Sequence, residues 1–299
     1  MEYSVFCEEV RRKVAEKTGY KTKIIDVLKN NNLTLKALSI IEEKSNVSPQ
    51  IYLEDFYDKF INSVTGIDIG DIAESVIDFY EKHRVESITG DFFHNFEELR
   101  NDIHYKIINA DANKTLLDSV PNDIFLDLAK VYVVNVNLPG IGLGNILINN
   151  KHLEIWQVTV NDLERAAFEN LGNEEILFQS LNDMVSSIVL ENEIGDFDID
   201  CLDENGFIYV LTNKDKFLGA RLLLRKNLLH DIAEKLKSDL IILPSSLHEV
   251  IILKDKYKND VDNLRDMVQD VNGSVVDIQD FLSDNVYLYV REENKIEIL

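Results

Sequence analysis

Apolar positions along this chain recur at two periods, and the change from one to the other is clearest after Gly206. Phe207–Leu211 (FIYVL) is apolar and rich in strand-forming residues, which predicts a β-strand. Ala220–Lys237 then places Leu228, Leu229, Ile232 and Leu236 at helical spacing. Two short apolar runs, Leu240–Leu243 and Val250–Leu253, flank Pro244-Ser245-Ser246 and predict a pair of strands. Asp260–Val271 returns to the helical period, and Val286–Val290 to the strand period. The expected order is β-α-β-β-α-β, that of a ferredoxin-like split unit, with both helices on one side of a four-stranded antiparallel layer.

The preceding part is patterned less regularly. Residues 2–18 space Val5, Phe6, Val10 and Val14 as one helix face, with Gly19 as its stop. Lys23–Leu28 and Leu33–Ile41 predict two strands joined through Asn30-Asn31-Asn32. Tyr52–Ile61 and Asp71–His83 predict helices, the second with Ile72, Val76 and Tyr80 on its buried face. Phe92–Asp111 leaves its type open; one reading starts as a helix and ends as the strand HYKIIN. Lys130–Val136 and Gly144–Ile148 predict a hairpin that turns at Pro139-Gly140. Asn161–Leu171 predicts a helix capped by Thr159 or Asn161, and Glu174–Leu190 a longer helix after it. The expected class is α+β: two packed α/β halves, residues 1–205 and 206–299, with no low-complexity linker between them.

Charge narrows the choice of partner. The 299 residues carry a net charge of −23. Nucleic acid backbones and anionic membranes need Lys and Arg to displace counterions, so both are excluded as main partners, whereas a basic protein or peptide is allowed. Residues 151–299 are the more acidic part, with 15 basic and 30 acidic side chains, and Glu191–Glu204 holds seven acids and no base. The N-terminus lacks the apolar core of a signal peptide, and no run reaches the ~18 apolar residues of a membrane span. Cys7 and Cys201 make neither a disulfide framework nor a metal pattern. The expected setting is a reducing cytoplasm.

Candidate chemistry is sparse. PGIGLG at Pro139–Gly144 lacks the Lys-Ser/Thr of a phosphate loop and lies between two strands, so it reads as a turn. Asp196, Asp198 and Asp200 open like a calcium loop, but Cys201 stands where that loop needs Gly and Phe207 where it needs Glu. The six histidines show no paired metal spacing, so neither metal nor cofactor is expected. PSSLHE gathers Ser245, Ser246, His248 and Glu249 in one bend between apolar strands. A seryl nucleophile needs a base and an orienting acid within hydrogen-bond reach, which residues this close in sequence rarely achieve alone.

Several segments resemble one family, the bacterial proteins grouped as domain of unknown function 5688. They include IYLEDFYDKF at Ile51–Phe60, YKIIN at Tyr105–Asn109, FLDLAKVYVV at Phe125–Val134 and GNILINNKHLEIWQVTVNDLERAA at Gly144–Ala167. YVLTNKDKFLGARLLL at Tyr209–Leu224, LHDIAEKLKSDLIILPSSLHEVIIL at Leu229–Leu253 and LSDNVYLY at Leu282–Tyr289 continue the pattern in the same order. A fainter similarity, in VNDLERAAFENL and the later hairpin, runs to domain of unknown function 1444. The resemblance implies a bacterial cytoplasmic protein and brings no activity with it. Asn213, Gly219, Pro244, Ser245, Ser246 and His248 are among its best-matching positions, serving fold or site.

Two functions follow as expectations. The first is a non-catalytic acidic protein that binds a basic protein or peptide. The second is an enzyme or small-molecule-binding protein using a cleft between the two halves, lined by Ser245, Ser246, His248 and Glu249 of the Pro244–Glu249 turn, with Asn213 as a further ligand-binding candidate. Acidic mimicry of nucleic acid is a third, minor possibility.

Overall fold

The structure is a computed structural model that describes residues 1–41, 50–63, 66–83, 95–138, 142–183, 208–244, 246–255 and 261–299. Its class is α+β, with three antiparallel sheets among the described residues. The acidic stretch Glu191–Glu204, the residues 139–141 of PGIGLG, and Ser245 lie outside the described residues. The chain divides into two units, one of residues 1–99 and 136–144, the other of residues 100–135 and 145–299.

In the first unit, α1 (Tyr3–Thr18) ends at Gly19, whose φ of 72° is open to glycine at little steric cost. Strands β1 (Lys21–Leu28) and β2 (Thr34–Ile41) pair from Lys21↔Ile41 to Leu28↔Thr34. Their connection works because Asn31 and Asn32 take φ near 59°, a region asparagine tolerates. β3 (Gln50–Tyr52), α2 (Glu54–Ile61) and α3 (Ile69–His83) complete this unit's layer. The expected faces meet in its core: Phe6 and Val10 from α1, Leu38 and Ile40 from β2, Ile72 and Val76 from α3. Each such side chain contributes about 1.5–3 kcal/mol by leaving water. The helical start of the open segment is α4 (Phe96–Leu99).

The strand HYKIIN is β4 (Ile103–Asn109), in the second unit. A short helix, α5 (Lys114–Leu117), precedes β5 (Asn122–Phe125) and β6 (Leu128–Leu138), and β4-β6-β5 form a sheet in which β7 (Gly142–Leu147) pairs with β6. Helices α6 (Asn150–Trp156) and α7 (Val160–Asn173) follow, the latter capped by Thr159, whose side chain and backbone exchange hydrogen bonds with Asp162.

The expected helix from Glu174 to Leu190 does not begin at Glu174; residues 181–183 are helical, and 184–190 lie outside the described residues. Ile176–Ser180 are instead β8, paired antiparallel with β9 (Ile208–Asn213) from Ile176↔Asn213 to Ser180↔Tyr209. Without β8 the outer edge of β9 would present unpaired backbone groups, and that ladder outweighs local helical spacing. The compact units therefore do not follow the expected division after residue 205, because β8 and β9 share one sheet across it.

After β9, a 3₁₀ segment (Gly219–Leu224) and α8 (Leu228–Leu236) lead to β10 (Leu240–Leu243), β11 (Val250–Lys254), α9 (Val261–Ser274), β12 (Tyr287–Val290) and β13 (Lys295–Ile298). The order along the chain is as expected; the order in space is β13-β12-β10-β11-β9-β8. A ferredoxin-like layer seats its fourth strand beside the first. Here β12 lies beside β10, the second, because β8 already occupies the free edge of β9.

This order also moves the helices. β9 and β10 are parallel with β11 between them, and β11 and β12 are parallel with β10 between them. Both crossovers step the same way across the sheet from strands running in opposite directions, so right-handed connections put α8 and α9 on opposite faces. Leu264 and Val268 of α9 pack with Ile241, Leu253 and Leu288. Neighbouring residues in a strand point to opposite faces, so Tyr289 looks the other way. There Asp231 and Glu234 of α8 add to the burial that raises the Tyr289 pKa, and Lys235 lies 5.9 Å from the Phe178 ring centroid. The expectation of both helices on one side is thus corrected. All four residues of β10 are buried, as a strand covered on two faces requires.

Candidate functional site

The bend after β10 is fastened on every side. Its main chain is strapped to the segment before β12: Leu247 N–H donates to Asp280 O (2.8 Å) and Ser283 N–H to Pro244 O (3.0 Å). Ser246, 7% exposed, accepts the His248 backbone N–H at Oγ (3.0 Å). The Ser246 hydroxyl thus meets the histidine main chain, not its imidazole, and Ser246 and His248 do not form a nucleophile–base pair. His248 Nδ1 accepts the Leu218 N–H (3.2 Å), which leaves the proton on Nε2, 3.4 Å from Asp280 Oδ1. That hydrogen bond pushes the His248 pKa up and the Asp280 pKa down, with burial opposing both. Glu249 acts on His248 through its charge. The His248 carbonyl takes the Thr212 hydroxyl (2.7 Å), and Gly219 approaches so closely that a Cβ there would stand 2.5 Å from the same oxygen.

Asn213 stands apart from that bend as a buried turn-former. Its Nδ2 donates to Glu174 Oε1 (2.8 Å) and Phe217 O (2.9 Å), and its Oδ1 accepts Phe217 N–H (3.1 Å). Beside it Glu174, just past α7, receives the guanidinium of Arg221, whose side chain is 3% exposed. The third side of that guanidinium reaches the Tyr105 carbonyl (3.3 Å). A buried ion pair offsets its desolvation only with such added hydrogen bonds. The pair and Asn213 border a cavity of about 350 Å³ that also takes in His104, Asn135 and Asn170. Burial, with the Arg221 charge added, pushes His104 down to about 4 and keeps it neutral at pH 7.

A second cavity, of about 540 Å³, opens at the β5–β6 turn. Leu126 holds φ 59° there, a costly conformation for a residue with a Cβ. The next residue, Asp127, accepts three neutral donors: Ser283 Oγ (2.6 Å), Asn285 Nδ2 (2.9 Å) and the Tyr287 hydroxyl. Burial and the Asp127 charge push the Tyr287 pKa well up, so the phenol remains a donor. Leu117, Ile124, Leu126 and Phe281 supply apolar lining.

The structure brings Ser246, His248 and Glu249 together and places Asn213 in a different cluster, next to Thr212, whose hydroxyl meets the His248 carbonyl. The reading from sequence missed Glu174, Arg221, His104 and Asp127. Polar residues interrupting apolar strands, as in HYKIIN and FLDLAK, were the available signal.

Fold and site together define an α+β protein in which no described helix is long and apolar enough to cross a membrane. A family model described as a family of unknown function, DUF5688, matches residues 3–291, and the chain belongs to that family. The fainter resemblance to domain of unknown function 1444 gains no support from this match. No curated protein and no solved structure matches the chain.

Proposed function

We propose that this protein is a non-catalytic receptor for a basic, amphipathic segment of a partner protein, and that α9 is the face that receives it. The carrying observation is a pair of adjacent rows on that helix. Asp262, Asp266 and Asp270 recur every fourth residue, all exposed. One position further along run Met267, Val271 and Val275, each at least 41% exposed, with Ile278 beyond. Leu264 and Val268 already anchor the helix to the sheet, and Met267, Val271 and Val275 still leave apolar surface open to solvent beside them. Arg265 pairs with Asp262, while Asp266 and Asp270 have no cationic partner among the described residues.

Charge complementarity chooses the occupant. An acidic row beside an apolar one matches a helix with Lys or Arg beside Leu or Ile. The hydrogen-bonded side chains of Ser246 and His248 support the non-catalytic part of this reading. The buried thiol of Cys7 supports action in a reducing cytoplasm. Fluorescence anisotropy with a labelled Leu/Lys amphipathic peptide tests the proposal. Affinity falls about tenfold or more from low to high salt, and again in Asp266→Asn/Asp270→Asn. Equal binding by wild type and that double variant refutes α9 as the face.

A further inference from the structure

We propose that the Asp127 cavity seats an alkylguanidinium or alkylammonium group, delivered as a basic side chain of the partner. This rests on the reading of α9 as a face for a basic partner and names the anchor that such a partner inserts.

The cavity floor is a carboxylate fixed in place by neutral donors. Ser283, Asn285 and Tyr287 orient Asp127 with three hydrogen bonds, and none of the three donors carries a positive charge. An ionised carboxylate accepts about four hydrogen bonds, so one acceptor position is left over. The ammonium at the rim, Lys114, is paired with Asp111 at 2.9 Å, and both side chains are largely exposed. Asp127 therefore has no cationic partner among the described residues, in a partly enclosed space where a cation gains more than it would in open water.

The shape selects an organic cation. Leu117, Ile124, Leu126 and Phe281 offer apolar surface along which the methylenes of a Lys or Arg stem lie while the charged head reaches the floor. About 540 Å³ falls within the usual range of ligand pockets and exceeds what one side chain fills. A bare metal ion is the weaker candidate, since no group of three or more His, Cys, Asp or Glu among the described residues is placed to hold one. The left-handed Leu126 fits a functional turn as well: the strained hairpin is what aims Asp127 at its three donors.

Continuity ties the cavity to the docking face. Asn272, near the end of α9, donates to Ser283 O (3.1 Å) and Asp284 Oδ1 (2.8 Å), and Asp284 lines the cavity. From that end the exposed Val275 and Ile278 lead along the chain to Phe281 in the cavity wall. A segment lying along α9 thus has a fixed charge at one end into which a single basic side chain inserts.

The test titrates two probes, butylguanidinium and a leucine-flanked single-arginine peptide, into wild type and Asp127→Asn, with Ile124 methyl resonances as the site reporter. Wild type binds both saturably, the two compete, and Ile124 shifts with each. Asp127→Asn weakens both by about tenfold or more, as expected for a charge-assisted hydrogen bond, and so does replacing arginine by citrulline in the peptide. Should Asp127→Asn fail to fold, the wild-type titration still decides, because an unmoved Ile124 overturns the assignment. Butylguanidinium binding without competition by the peptide overturns the partner side chain as its source. Salt-sensitive peptide binding with no butylguanidinium saturation sinks this site and spares the α9 reading; loss of both sinks the two together.

Discussion

Acidification acts on this fold through His104. The imidazole is buried next to Arg221 and pushed down to about 4, whereas the unfolded chain presents it near 6.5. The sign follows from proton binding. Between those values the unfolded state holds a proton that the native state refuses, so the stability present above pH 6.5 is lost as pH falls toward 4. The gap between 6.5 and about 4 corresponds to about 3 kcal/mol, a large share of the 5–15 kcal/mol typical of a domain. Urea unfolding of wild type and His104→Gln at pH 7.5, 6, 5 and 4 isolates the effect. Carboxylate titration and relief of the net negative charge act on both proteins and cancel in the difference. Wild type loses about 3 kcal/mol more than the variant over this range. A difference that stays flat with pH means that His104 ionises freely, and with it falls the reading that burial beside Arg221 holds the imidazole neutral.

Two further substitutions probe the same unit. Gly219→Ala places a Cβ 2.5 Å from His248 O and 2.9 Å from Asn213 N, both backbone atoms that cannot swing aside, and costs about 1–3 kcal/mol of stability by thermal unfolding. Arg221→Met leaves Glu174 buried and unpaired and costs about 3–5 kcal/mol, whereas Arg221→Met with Glu174→Leu recovers most of that loss in urea titration.

Much of the fold was legible because local pattern and tertiary need agree. α1 stops where Gly19 stands, the β1–β2 connection falls on its asparagines, and β10 and β11 flank the bend as their apolar runs require. Where the two disagreed, tertiary pairing decided. Residues 176–180 carry a helix-compatible spacing, and only the open edge of β9, distant in sequence, makes them a strand. The sided arrangement of α8 and α9 depends on which strand β12 chooses as neighbour, a fact no single segment encodes. LIIL at Leu240–Leu243 did carry a hint, since a strand with one wet face has no use for four apolar residues in a row.

The candidate sites were harder to read for a related reason. PSSLHE drew attention because its polar groups are neighbours in sequence, yet Ser246 and His248 serve to fasten the bend. The groups that line cavities come from far apart: Asp127 meets Ser283 across 156 positions, and Arg221 meets Glu174 across 47. Their segments, FLDLAKVYVV and LSDNVYLY among them, resembled the family before the structure joined them, without indicating that they would meet.

The central claim is that an acidic and apolar face on α9 receives a basic amphipathic segment, and amide hydrogen exchange of the protein with and without a Leu/Lys peptide tests it most directly. The account predicts slowed exchange concentrated in residues 261–285, with the first unit unchanged. Protection spread evenly over acidic surfaces, or confined to the bend at Ser246–Glu249, would contradict it.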